Sequence, residues 1–273
     1  MMTNSQGMAR YALCAGVFAA AALLAGCASQ SGGTGIASGV TVSDPARLSR
    51  SGFLSDYGRL KPVSWGDGIE CWREPGLDAK QYGQVLVSRI VLSLAPPKAD
   101  AANNTIDPSD LKTLTDYFHD SMVKALKPQM QVVDKAGAGV VVMRIALTDL
   151  APTSVTDSAI GTLIPFGYVA EAGSGVATGR PVGSTPYMGE TGMEMQFRDG
   201  ATAAILAECR DTQIGRKYAG EMNAGAAGAA ETWANGYMSS FQAWSYAKIA
   251  FDKWSALVAQ RLAALRGVTP APK

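Results

Sequence analysis

The 273-residue chain is predicted to fold as a single α+β domain, a two-layer sandwich with a mostly antiparallel sheet and helices packed on one face. Three observations predict this. Segments with apolar residues at every second position read as half-buried strands. Two segments with apolar residues three and four apart read as amphipathic helices. Their order along the chain is strand, helix, strand, strand, insertion, strand, strand, helix, which fits one sheet covered on one face rather than a strict strand–helix alternation.

The first strand candidate is Gln84 to Leu94, rich in Val, Ile and Leu and stopped by Pro96-Pro97. Asp107-Pro108-Ser109-Asp110 then carries the marks of a helix start: a capping side chain, proline in the first turn and an acidic residue near the positive end of the dipole. Leu111, Leu114, Phe118, Met122 and Ala125 make one apolar helical face, and Lys127-Pro128 closes it. Met130–Val133 and Gly139–Leu150 read as two strands around a turn near Gly137. Residues 151–186 form a Gly-rich, mildly apolar insertion. Two further strands, Gly189–Arg198 and Thr202–Asp211, flank Arg198-Asp199-Gly200, whose Asp-Gly pair suits a hairpin turn. After a Gly/Ala-rich stretch at 219–230, a last helix runs from about Ser239 to Arg266. Its stripe of Trp244, Ala247, Phe251, Trp254, Val258, Leu262 and Leu265 is spaced to pack on a sheet, and is read as core rather than as a ligand box.

The N-terminus reads as a secretory signal over residues 1–26. Arg10 is its only charge, and Tyr11 to Ala25 is an almost unbroken apolar run. Fifteen helical residues rise about 22 Å, short of the ~30 Å hydrocarbon core, so a permanent span is not expected. Met8 offers a second start with a more compact basic region. The run ends in Leu24-Ala25-Gly26-Cys27, which resembles the lipobox of bacterial lipoproteins. By that resemblance Cys27 becomes the acylated first residue of the mature chain, carrying diacylglycerol and an N-acyl group. Two or more acyl chains anchor stably to a membrane. Position 28 is Ala rather than the Asp that commonly retains lipoproteins at the inner membrane, so an outer-membrane, periplasm-facing location is expected. Residues 27–44 form a Gly/Ser tether, residues 45–268 the folded domain, and Thr269–Lys273 a disordered tail.

Removing residues 1–26 deletes Arg10 and no acidic residue, leaving 23 basic against 23 acidic side chains. A neutral chain argues against nucleic-acid binding, which uses a basic face, and against electrostatic capture by anionic headgroups. Beyond Cys27, the mature chain keeps Cys71 and Cys209. In an oxidising envelope these fit a disulfide, and two buried free thiols fit equally.

Several segments, in order, resemble domain-of-unknown-function family 3313, a set of bacterial lipoproteins. They are Phe53–Leu60, Tyr82–Ile90, Val140–Asp149 and Gly189–Arg216, the last including Met193-Glu194-Met195 and Asp211–Gly215. The resemblance spans nearly all of residues 45–265. It implies a lipoprotein and no established activity.

Motifs for chemistry are sparse. His119 is the only histidine and no thiols cluster, so no metal or cofactor is expected. No Gly-x-Ser-x-Gly elbow accompanies His119. Glu171, Glu190, Glu194 and Glu208 could supply the carboxylate pair of a cell-wall glycosidase, a pattern any protein offers. Leu163, Ile164, Phe166 and Tyr168 in the insertion fit a loop touching a membrane or partner, or one folded over the sheet edge. Three functions follow. The leading one is a non-enzymatic accessory protein working through contacts with an envelope partner, which predicts an exposed apolar patch without a deep pocket. The alternative is a binding module for a lipid or other apolar molecule, which predicts an apolar cavity of several hundred Å³. The third is a cell-wall enzyme, which predicts carboxylates converging in a cleft.

Overall fold

The structure, a computed structural model, describes residues 40–94, 106–163, 174–218, 234–240 and 242–268. Cys27 with Leu24, Ala25 and Gly26, the tail, and Ile164, Phe166 and Tyr168 lie outside these residues. Leu163 is the last residue of a helix, and only its backbone is described.

One sheet contains β1 (Thr41–Ser43), β2 (Lys61–Pro62), β3 (Glu70–Arg73), β4 (Gln84–Val87), β5 (Val91–Leu92), β6 (Gln131–Val132), β7 (Val140–Ala151), β8 (Glu190–Asp199) and β9 (Ile205–Gly215). Its order is β2-β3-β9-β8-β7-β4-β6, with β1 also on β9 and β5 also on β7. The long central strands β7, β8 and β9 are antiparallel, as are β1 and β3 on β9 and β2 on β3. The parallel pairs are β4 with β6, β4 with β7 and β5 with β7.

Two helices, α1 (Pro108–Leu126) and the C-terminal α3 (Ser245–Leu265), cover one face, and α2 (Val155–Leu163) lies in the insertion. Asp107 caps α1 by accepting from the Ser109 N–H, with Pro108 in the first turn. The helices meet the sheet through the residues that the two periodicities single out. Met143, Ile145, Leu147, Met193 and Met195 rise from the strands against Leu114, Phe118 and Met122 of α1 and Phe251 and Trp254 of α3. Phe118 stacks on Phe251, with ring centroids 4.5 Å apart and planes within 8°. Phe118→Ala removes the centre of this contact and is expected to cost about 3–5 kcal/mol, read as a lowered denaturant midpoint.

The opposite face is polar and is not left to water. Residues 44–60 cross it as a strap, pinned by carboxylates at alternate positions of β8 and β9. Arg47 makes a bidentate pair with Glu190. Ser51 donates its N–H and hydroxyl to Glu194, which also accepts from the Tyr57 hydroxyl. Glu208 accepts from the Ser55 N–H and hydroxyl, the Arg59 guanidinium and the Gln196 amide. Glu194 and Glu208 are fully buried, and burial of a charge is tolerated only with partners of this kind.

Several sequence expectations change in detail. Gln84–Leu94 is two strands rather than one: Ser88–Ile90 interrupts the ladder before β5 rejoins β7. The strands on either side of Gly137 do not pair with each other, because each lies parallel to β4. The β8–β9 hairpin turns over five residues, 200–204, rather than two. The Asp199 side chain holds that turn by accepting from the Ala201 and Thr202 N–H groups and the Thr202 hydroxyl, and Ala203 takes a positive φ of 61°. Among the described residues, no helix is long and apolar enough to cross a membrane.

Candidate functional site

The site lies under the C-terminal half of α3. Twenty-one residues of helix extend about 31 Å, and the first turns pack on the aromatic core. Farther along, the sheet beneath consists of the β9 and β3 edge, where the floor side chains are small. Ala207 faces Arg73 and Cys209 faces Cys71 in the antiparallel register of β3 on β9. The two cysteines are bonded, Sγ to Sγ at 2.04 Å. A disulfide and a methyl group cannot fill the space that α3 spans, and a cleft of about 300 Å³ remains.

Leu257, Val258, Leu262 and Leu265 of α3 form its roof, and Met193, Met195 and Phe197 of β8 extend its floor. Trp65 and Ile69, from the link between β2 and β3, close one side. The stripe on the last helix therefore divides. Phe251 belongs to the core, Trp254, Val258 and Leu262 both pack on the core and line the cleft, and Leu265 lines the cleft alone.

Charge in the cleft is of one sign. Arg73, Arg261 and Arg266 line it, and no acidic residue does among the described residues. Arg261 is half-buried, with its guanidinium carbon 5.5 Å from the Trp65 ring centroid. Burial, and then the neighbouring Arg73, hold its pKa below the usual arginine value. Tyr82, also in the lining, donates its hydroxyl to Asp199. Burial first, and then that carboxylate, push its pKa up to about 12.

The residues singled out from sequence for catalysis are elsewhere. Glu190, Glu194 and Glu208 are on the strap face, across the sheet from the cleft, and Glu171 lies outside the described residues. Arg59 is the first influence drawing the Glu208 pKa below its ordinary value against the cost of burial. His119 sits on α1 with Nε2 3.3 Å from the Val87 carbonyl oxygen. Among the described residues, no group of three or more His, Cys, Asp or Glu side chains is arranged to hold a metal ion. Sequence reasoning missed Trp65, Arg73, Arg261 and Arg266. The available signal was faint: Arg261 and Arg266 flank the apolar positions at the end of the last stripe.

A sequence profile described as "Protein of unknown function (DUF3313)" matches residues 49–237. The chain belongs to the DUF3313 family. The DUF3313 match takes in most of the strap, the disulfide and the strand floor of the cleft, and ends before α3, which roofs it. No curated protein matches the chain. Two solved structures are distantly similar, both PelC dodecamers from Paraburkholderia phytofirmans. One, in space group P6, is 9% identical with a TM-score of 0.35, covering 69% of this chain and 96% of that one. The other, a single-substitution variant in space group C2, is 11% identical with a TM-score of 0.30, covering 64% and 96%.

Proposed function

We propose that this DUF3313 protein is a lipid-anchored component of the bacterial envelope whose domain binds the apolar part of a small molecule in the cleft under α3, without catalysing a reaction. Acylated Cys27 holds it at the periplasmic side of the outer membrane, and no cofactor or metal takes part. The cleft itself carries the reading: about 300 Å³ of apolar-lined space is at the lower end of the range for small-molecule sites. An accessory protein working through surface contacts alone gives no reason for an apolar-lined cleft of this size. Burial of apolar surface drives binding, at about 0.8 kcal/mol per methylene.

The test uses the mature chain with Cys27→Ser, so that no acyl group competes, and the neutral fluorophore N-phenyl-1-naphthylamine. Saturable, one-to-one fluorescence enhancement is expected. Leu257→Trp, which places an indole in the cleft, is expected to abolish it while leaving the thermal midpoint within a few degrees. A wild-type chain that shows no saturable enhancement would sink ligand binding and return protein contacts to the lead. The anchor is tested separately: intact-mass measurement of the native chain should show Cys27 acylated, and Cys27→Ala should release the protein from the membrane fraction.

A further inference from the structure

The chain is neutral after signal removal, yet the cleft concentrates cations. Arg73 and Arg261 line the same cleft, and neither has an ion-pair partner among the described residues. Other arginines that line no cleft do have carboxylate partners: Arg47 pairs with Glu190, Arg59 with Glu208 and Arg210 with Glu70. Arg266 adds an independent sign. Its Nη1 donates to the Gln129 carbonyl, but its Nε is buried with no hydrogen-bond partner, and a buried donor left unmade is costly. An apolar space beside unpaired guanidinium groups is complementary to a molecule with an apolar chain and one anionic end.

Resting on the ligand-binding reading above, we propose that the occupant is a single-chain fatty carboxylate, its tail over the Cys71–Cys209 floor and its carboxylate held by Arg73 and Arg261. A guanidinium fork matches a carboxylate in two parallel hydrogen bonds. At about 30 Å³ per water-sized unit, the cleft accepts a chain of about ten carbons. The two arginines then share one negative charge, which gives the ligand a fixed polarity in the cleft.

Titration calorimetry with decanoate, decanol and acetate at neutral pH tests this on the full mature chain carrying Cys27→Ser. Decanoate is expected to bind about tenfold to a hundredfold more tightly than decanol, and acetate not at all in the same range. Arg73→Gln and Arg261→Gln should each weaken decanoate by about tenfold, leave decanol unchanged and keep the thermal midpoint. Equal affinity for decanoate and decanol would overturn the carboxylate assignment while leaving the apolar-ligand reading intact. Acetate binding as tightly as decanoate would also overturn it, since the arginines would then be an ordinary anion site. Decanoate affinity untouched by both substitutions would move the head elsewhere and overturn the assignment. If neither ten-carbon compound binds, the ligand-binding reading fails and this inference with it.

Discussion

Reducing the Cys71–Cys209 disulfide is expected to lower the unfolding free energy by about 2–5 kcal/mol, toward the upper end because the closed loop spans 138 residues. The effect is also local. β3 has four residues and β2 two, and among the described residues no strand pairs beyond β2 on that side. An edge this short gains little from its own hydrogen bonds, so the covalent bond to β9 keeps Cys71–Arg73 in register. Guanidinium unfolding with and without reductant, alongside the Cys71→Ala/Cys209→Ala double variant, measures the global cost. Fluorophore affinity under reducing conditions measures the local one, and it should fall because the floor and Arg73 move with β3. Superimposable unfolding curves would show that the sheet edge holds without its staple.

Replacing Glu208 with Leu is expected to cost about 3–5 kcal/mol, the loss seen when one member of a buried charged network is removed. Four donors on the strap and on β8 lose their acceptor together: the Ser55 N–H and hydroxyl, Arg59 and the Gln196 amide. Glu208→Gln keeps the shape and an acceptor oxygen but not the charge, and should lose roughly half as much. The pH dependence has a defined sign. The folded-state pKa of Glu208 lies below its ordinary 4.5, so its stabilisation is fully present above about 4.5 and is lost as pH falls through the lower, folded value. Asp199, held down to about 2 chiefly by the Thr202 N–H, acts in the same direction at lower pH. The acid limb of a stability profile should therefore steepen below about pH 4.5, and Glu208→Gln should flatten its upper part. An unchanged profile in that variant would assign the limb to other carboxylates.

What could be read from the sequence was what repeats. Met143, Ile145 and Leu147, then Met193, Met195 and Phe197, alternate over runs long enough to stand out, and Asp107-Pro108 marks the start of α1 within a residue. β1, β2 and β3 are two to four residues long and show no period, so they left no trace. The strap was equally invisible, because Ser51 meets Glu194 and Ser55 meets Glu208 across 143 and 153 residues, and isolated serines carry no sign of their acceptor. The two cysteines were evident but their opposition across β3 and β9 was not, since that depends on register. The cleft was the least legible feature of all. Leu262 and Leu265 look like core residues, and only the small size of Ala207 and the bridged cysteines opposite them leaves their space unfilled.

The path of the chain through the strap also has a mechanical meaning. A pull transmitted from an anchored Cys27 would enter the domain at Val40 and meet β1, which is laddered to β9 at Gly215. It would then have to strip the strap pin by pin, at Glu190, Glu194 and Glu208, before reaching β3. There Cys71 is welded to Cys209, and tension could pass no further by unpeeling. The cleft floor at Ala207 lies eight residues along β9 from the point of entry, about 27 Å away. Were such a pull applied, the cleft would be the sheltered end of the domain, reached only after β1, the strap and the disulfide had given way.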